Sequence, residues 1–155
     1  MFLAISPSQF NPHFVMLSEK TKNNIMEDGD FYRIYYSDTL SNSSGLYIHF
    51  SLINISMEKY YNKIKCGFSF NDNSEIITSL KLIENKLLNN IIFTNKTKVK
   101  RISEQLTHYF IKVFTDKEIP LGKNKKIDLI LKISGIWCDY NSYGITFRFY
   151  MANHL

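Results

Sequence analysis

The sequence predicts a mainly-β domain, a small barrel of six to seven strands with one amphipathic helix inserted between them. Apolar and polar side chains alternate over Leu46 to Asn54 and again over Tyr61 to Phe70, the period of a sheet with one face in a core. Asn73 to Phe93 changes to helical spacing, and clusters of Ser, Asn, Gly and Pro punctuate the remainder. A chain of 155 residues, 45% of them hydrophobic, supplies one sizeable core, so residues 1–155 are read as a single domain.

Taken in order, a lead containing Pro7 and Pro12 precedes a first strand over His13 to Leu17, and the charged stretch Ser18 to Asp30 reads as a loop. Phe31 to Ser37 is aromatic and β-prone. With the Ser41 to Gly45 turn and the run Leu46 to Asn54 it reads as a hairpin, with Leu46, Ile48, Phe50 and Leu52 inward and Tyr47, His49 and Ser51 outward. Tyr61 to Phe70 repeats the scheme, Ile64, Cys66, Phe68 and Phe70 on one side and Lys63, Lys65 and Ser69 on the other. In the helix, Ile76, Leu80, Ile83, Leu87 and Ile91 form the apolar stripe, and Asp72 with Glu75 resembles a capping box. The basic run Asn95 to Arg101 and the charged Asp116 to Lys126 read as loops or strand edges, with a β-prone run, His108 to Phe114, between them. Ile127 to Trp137 and Gly144 to Met151 flank the polar turn Asp139 to Tyr143, the clearest hairpin in the chain. A small closed barrel with a capping helix, OB-fold-like, accommodates this order, as does an α+β sandwich.

Composition narrows the function. Nineteen Lys and Arg against 14 Asp and Glu give a net charge of +5, a modest field that favours polyanionic partners. Cys66 and Cys138 lack C-x-x-C spacing and are expected as reduced, buried thiols. The opening Met1 to Ile5 is too short for a signal h-region and no later run reaches a membrane span, so the expectation is an intracellular protein, in the cytoplasm or nucleus of a host cell, with no membrane partner. His13, His49, His108 and His154 have no zincin-type neighbours, and Glu27-Asp28-Gly29-Asp30 lacks the spaced carboxylates of a calcium loop. Phosphate-binding glycine motifs and nucleophile elbows are likewise missing from the sequence, so neither enzymatic activity nor a cofactor or metal is expected.

What remains is an interleaving of cations with aromatics on strands: Arg33 by Tyr35, Tyr47 by His49, Lys63 and Lys65, Lys112 between Phe110 and Phe114, and Arg148 by Tyr150. Single-stranded nucleic acid needs that mixture, because flat rings stack on bases for about 1–3 kcal/mol each while cations follow the phosphates. The bland alternative packs these rings under the helix or a second sheet.

From Leu129 to Phe149 the chain resembles the closing hairpin of OB-fold single-stranded DNA-binding proteins of large DNA viruses and some phages. The resemblance rests on Gly135-Ile136-Trp137 at the end of one strand and Gly144-Ile145-Thr146-Phe147-Arg148 at the start of the next. It implies a replication or repair protein that coats unpaired strands, with a helix between barrel strands and replication proteins as partners. Where many such proteins carry an acidic recruiting tail, this sequence has Met151 to Leu155, and recruitment by a tail is not expected. Trp137 reads either as a base-stacking residue or as core; strand parity, which groups it with Leu129, Leu131, Ile133 and Gly135, favours core.

The expectation is therefore a sequence-tolerant single-stranded DNA-binding domain with RNA as the alternative ligand. Tyr35, Tyr47 and Tyr150 stack on bases, and Arg33, Lys63, Lys65, Lys112, Lys132 and Arg148 hold phosphates. A homodimer through strand edges is a further expectation. The rival reading is a viral structural or host-interaction protein whose aromatic face is a protein interface.

Overall fold

The computed structural model describes residues 4–22, 29–38, 42–90, 93–115, 118–119 and 121–152. Two 3-10 turns, Pro7–Gln9 and Pro12–Phe14, lead into β1 (Val15–Leu17), β2 (Thr21–Lys22), β3 (Asp30–Ser37) and β4 (Asn42–Ser44). Then follow β5 (Leu46–Tyr60), β6 (Lys63–Gly67), α1 (Phe70–Asn89), β7 (Thr97–Val99), α2 (Arg101–Thr107), β8 (Phe110–Phe114), β9 (Gly122–Cys138) and β10 (Ser142–Met151). Among the described residues ten strands thus replace the six or seven expected, but the barrel itself uses five.

Those five close on themselves in the order β9-β5-β6-β8-β10 and back to β9. Every pairing in the ring is antiparallel except β8 with β10, which runs parallel. Numbered along the chain, the ring reads 1-2-3-5-4-1, a Greek-key barrel of the OB-fold-like type expected. Alternation produces it: Leu46, Ile48, Phe50 and Leu52 of β5, Ile64 and Cys66 of β6, Ile111 and Val113 of β8 and Leu129, Leu131 and Ile133 of β9 are all buried and form one cluster. Each such aliphatic contributes about 1.5–3 kcal/mol on leaving water.

Both helices lie between the second and third ring strands, two where one was expected. The helix begins at Phe70 rather than Asn73, because Ser69, not Asp72, is the N-cap and accepts from the Asp72 N–H. Phe70, assigned inward by parity, is instead 45% exposed at the first helical turn. Asn73 departs from helical φ/ψ and pairs sideways with β5: its Oδ1 accepts from the Ile53 N–H at 2.9 Å and its Nδ2 donates to the Ile53 carbonyl at 3.1 Å. A side-chain amide thus stands in for a neighbouring strand and docks the helix. Ile77, Leu80, Ile83, Leu87 and Leu88 form the buried face, whereas Ile91 lies outside the described residues.

Short α2 fills the interval between the expected basic stretch, which it overlaps only at Arg101, and the expected strand from His108. It has no side-chain cap from its own N-cap residue, Lys100; the wholly buried Glu84 of α1 supplies one across the interface. The Glu84 carboxylate accepts from the N–H groups of Ile102 and Ser103 and from the Ser103 hydroxyl at 2.6–2.9 Å. Unpaired helix donors and a buried anion satisfy one another.

The expected hairpin of β3 with β5 does not form. Strand β3 turns back on tiny β4, pairs with β1 and β2, and adds to β9 beyond the end of β5, with Phe31 opposite Trp137 and Arg33 opposite Gly135. The hairpin of β9 with β10 forms as expected. Its turn is held by Asp139, whose carboxylate accepts from the Ser142 and Asn141 N–H groups at 2.7 and 2.9 Å; the first of these chiefly holds its pKa below the usual range. Lys96 donates to the carbonyls of Asp139 and Tyr140 from outside.

One irregularity changes the face on which Trp137 lies while leaving it buried, as expected. Thr146 faces Gly135 but Phe147 faces Ile133, so Ser134 is an extra residue in β9. Inward positions therefore shift from Leu129, Leu131 and Ile133 to Ile136 and Cys138, and Trp137 points outward with Gly135 rather than into the barrel. It is nevertheless only 6% exposed.

Candidate nucleic-acid interface

Outward positions of the five ring strands carry the cations and rings singled out in the sequence, and the pairing registers bring most of them together. Tyr47 of β5 lies opposite Lys132 of β9, which lies opposite Arg148 of β10. One step along, His49, Ile130 and Tyr150 form the adjacent row. On the other side of the ring, Lys65 of β6 lies between Glu58 of β5 and Lys112 of β8, and Lys63 faces Tyr60. Tyr150 joins the two halves by pairing with Phe114, at 6.1 Å between rings.

Each cation on this face lies over an aromatic ring. Lys63 and Arg148 cover Phe114 at 4.5 and 4.7 Å, Lys65 covers Phe110 at 4.6 Å, Lys112 covers Tyr60 at 5.0 Å and Lys132 covers Tyr47 at 5.8 Å. Such contacts are worth about 0.5–1 kcal/mol when exposed and hold long, flexible side chains near one surface. Seven of the nine expected contacts, Tyr47, Lys63, Lys65, Lys112, Lys132, Arg148 and Tyr150, share this stripe. Phe110, Phe114 and Tyr60 complete it; the first two were visible as the flanks of Lys112, whereas Tyr60 gained its place only through pairing.

Arg33 and Tyr35 belong elsewhere. Both are exposed, but β3 is outside the ring, where Tyr35 faces Ser44 and Met16 and the Arg33 guanidinium reaches the Ser44 hydroxyl at 3.5 Å. Their surface is an apolar sheet edge with Met16 60% exposed, not a cationic row.

The electrostatics of the stripe are lopsided. Lys65 and Lys112 stand directly across from one another, as do Lys132 and Arg148. Like charges directly opposite on paired strands are unfavourable. Only Lys65 has an ion pair among the described residues of the stripe, with Glu58 at 3.6 Å, and that carboxylate is 68% exposed and screened by solvent.

Trp137, by contrast, is closed over. Its ring lies under the Arg101 guanidinium at 4.8 Å and against Gly144, where a Cβ would come within 2.9 Å of the indole. A Cβ on Gly135 would stand 2.3 Å from the Tyr32 carbonyl and 2.5 Å from the Phe31 ring. The two glycines of the hairpin motif are therefore space for neighbouring rings and backbone, and Trp137 is no base platform.

The cysteines stay inside as expected, both free and buried, and desolvation pushes the Cys66 thiol up to about 12. Among the described residues no three His, Cys, Asp or Glu side chains cluster as metal ligands would; Glu27, Asp28 and His154 lie outside them. No helix among those residues is long and apolar enough to cross a membrane. Comparison with protein-family models, curated proteins and solved structures returns no match for this chain.

Proposed function

We propose that the chain is a sequence-tolerant single-stranded DNA-binding protein that serves DNA replication or repair of the viral or phage-like kind. The observation that carries this reading is the pair of like-charged couples, Lys65 with Lys112 and Lys132 with Arg148, set among aromatic rings on the outer surface of the barrel, with a solvent-screened Glu58 as the one carboxylate paired to them among the described residues. In the isolated fold each couple is a cost; along a phosphate chain both become favourable. The rings beneath give bases something to stack on without reading their identity. Ring strands two and three, β6 and β8, carry three of the five lysines and arginine involved, and the corresponding face of OB-fold barrels is the one that takes oligonucleotides.

Fluorescence anisotropy with labelled oligo-dT over a salt series tests the proposal, with duplex DNA and RNA of equal length as competitors. Five cations on a single strand correspond to a slope of log K against log salt of roughly −3.5. Salt-sensitive binding that duplex fails to displace is the expected result. Absence of binding at low salt overturns it and puts a protein-binding role for the aromatic face first.

A further inference from the structure

Two tyrosines outside the expected set share an unusual backbone state. Tyr61, at the first position of the two-residue turn between β5 and β6, has φ of 54°, and Tyr109, just past the end of α2, has φ of 61°. Both sites belong to the left-handed region, where hairpin turns favour Gly, Asn or Asp and helix ends favour Gly. Among the described residues the other positive-φ positions that are not glycine, Asn54 and Asn95, are of the type that tolerates it. A tyrosine gives up about 1 kcal/mol there, and strain of this kind is retained where the side chain has a task.

Placement indicates the task. Strands β6 and β8 pair from Ile64 with Val113 to Gly67 with Phe110, so Tyr61 lies off one end of the ribbon and Tyr109 off the other. Between them run Lys63, Lys65 and Lys112 and the rings they cover. Tyr61 and Tyr109 are more open than those rings, 84% and 52% exposed. The Tyr61 ring meets Tyr60 edge-on at 4.9 Å, which sets its direction. Beside Tyr61 lies a cavity of about 480 Å³ with Lys59, Lys63 and Glu118 in its wall and Ile119 and Leu121 as its apolar side. At the other end, a cavity of about 310 Å³ lies between α2 and β8, lined by Arg101, Glu104, Gln105, His108, Phe110 and Lys112. Each end thus offers an exposed ring, Tyr61 in the wall of its hollow and Tyr109 between two residues of the other, His108 and Phe110, and in each hollow the Lys and Arg side chains outnumber a single carboxylate.

We infer that Tyr61 and Tyr109 are the end platforms of the nucleic-acid site: the bases at either end of the bound segment stack on them, and the flanking phosphates settle against the neighbouring cations. This rests on the single-strand-binding reading and adds its limits. Six residues of strand separate Tyr61 from Gly67, roughly 20 Å, which sets the core footprint at the low end of the about 4–16 nucleotides that one such barrel covers.

The test uses Tyr61→Asn and Tyr109→Asn, which keep the backbone state and relieve the strain, with Tyr61→Phe and Tyr109→Phe as ring-retaining partners. Affinity for oligo-dT of 4 to 12 nucleotides and the thermal midpoint are measured for each. The inference predicts that each Asn variant binds roughly 5- to 100-fold more weakly while melting at or above the wild-type temperature, and that each Phe variant binds like wild type. Unchanged affinity in either Asn variant, or a loss of affinity matched by a loss of stability, overturns it. Wild-type binding separates the two levels: if the wild type binds dT and the Asn variants equal it, the end platforms fail alone, and if the wild type binds none, both proposals fail.

Discussion

Along the outer face of the β9–β10 hairpin, the half around Lys132 and Arg148 is open and cationic, whereas the half around Gly135, Trp137 and Gly144 is covered. Both halves point away from the barrel core. What differs is the second layer. Phe31 and Tyr32 of β3 lie on Gly135, and Arg101 of α2 lies on Trp137, while Arg148 is exposed and Lys132 half-exposed over the Tyr47 ring. Outward is therefore not the same as accessible, and in this hairpin glycine marks the difference: Gly135 and Gly144 stand where neighbouring rings and backbone come close, and no glycine stands in the half around Lys132 and Arg148.

Three changes break or sharpen this contrast. The largest effect belongs to Gly135→Ala, whose methyl would meet the Tyr32 carbonyl, a backbone atom that cannot swing aside. Urea unfolding is expected to show a loss of about 3 kcal/mol, with dT affinity of the folded fraction intact. Next comes the open half. Replacing Lys132 and Arg148 together by Gln should reduce the salt slope of dT binding by about 1.4 and weaken affinity at low salt, yet leave stability within about 0.5 kcal/mol, since the variant also removes a repulsion. A stability loss as large as that of Gly135→Ala would mean that this half too is packed. The smallest effect is at the lid of the closed half: Arg101→Ala should cost about 0.5–1 kcal/mol. It should also shift the emission of Trp137, the single tryptophan, to the red as the indole meets water.

Much of the barrel was legible because each of its strands has one wet and one dry face, and Leu46 to Leu52, Ile64 to Phe68 and Leu129 to Ile133 write that alternation directly. Pairing was less so. Strand β3 looks like the natural partner of β5, its neighbour in sequence, but its partner in the structure is β9, a hundred residues away, and nothing local records that choice. Helix α2 was hidden for a related reason, since its cap is Glu84 on another helix. Ser134 carries no bulge signature, so parity carried Trp137 to the wrong side. The stripe was readable as cations alternating with rings, yet alternation could not tell a ring strand from an attached one, which is why Arg33 and Tyr35 were grouped with residues they do not join. Tyr61 and Tyr109 were missed because a tyrosine at positive φ contradicts ordinary turn preference; the dipeptide Tyr61-Asn62 between two alternating strands was the available cue.

The parallel contact between β8 and β10 has a consequence for how the molecule comes into being. Because β10 bonds to β7, β8 and β9 at once, the ring stays open until that strand has emerged from the ribosome, long after β5 and β6. Until then the nascent chain carries unfilled strand edges beside the most apolar segments it has, so its vulnerable period is the interval of translation between Gly67 and Tyr150, and slow codons or a stall in that interval would expose it to aggregation more than any event after release.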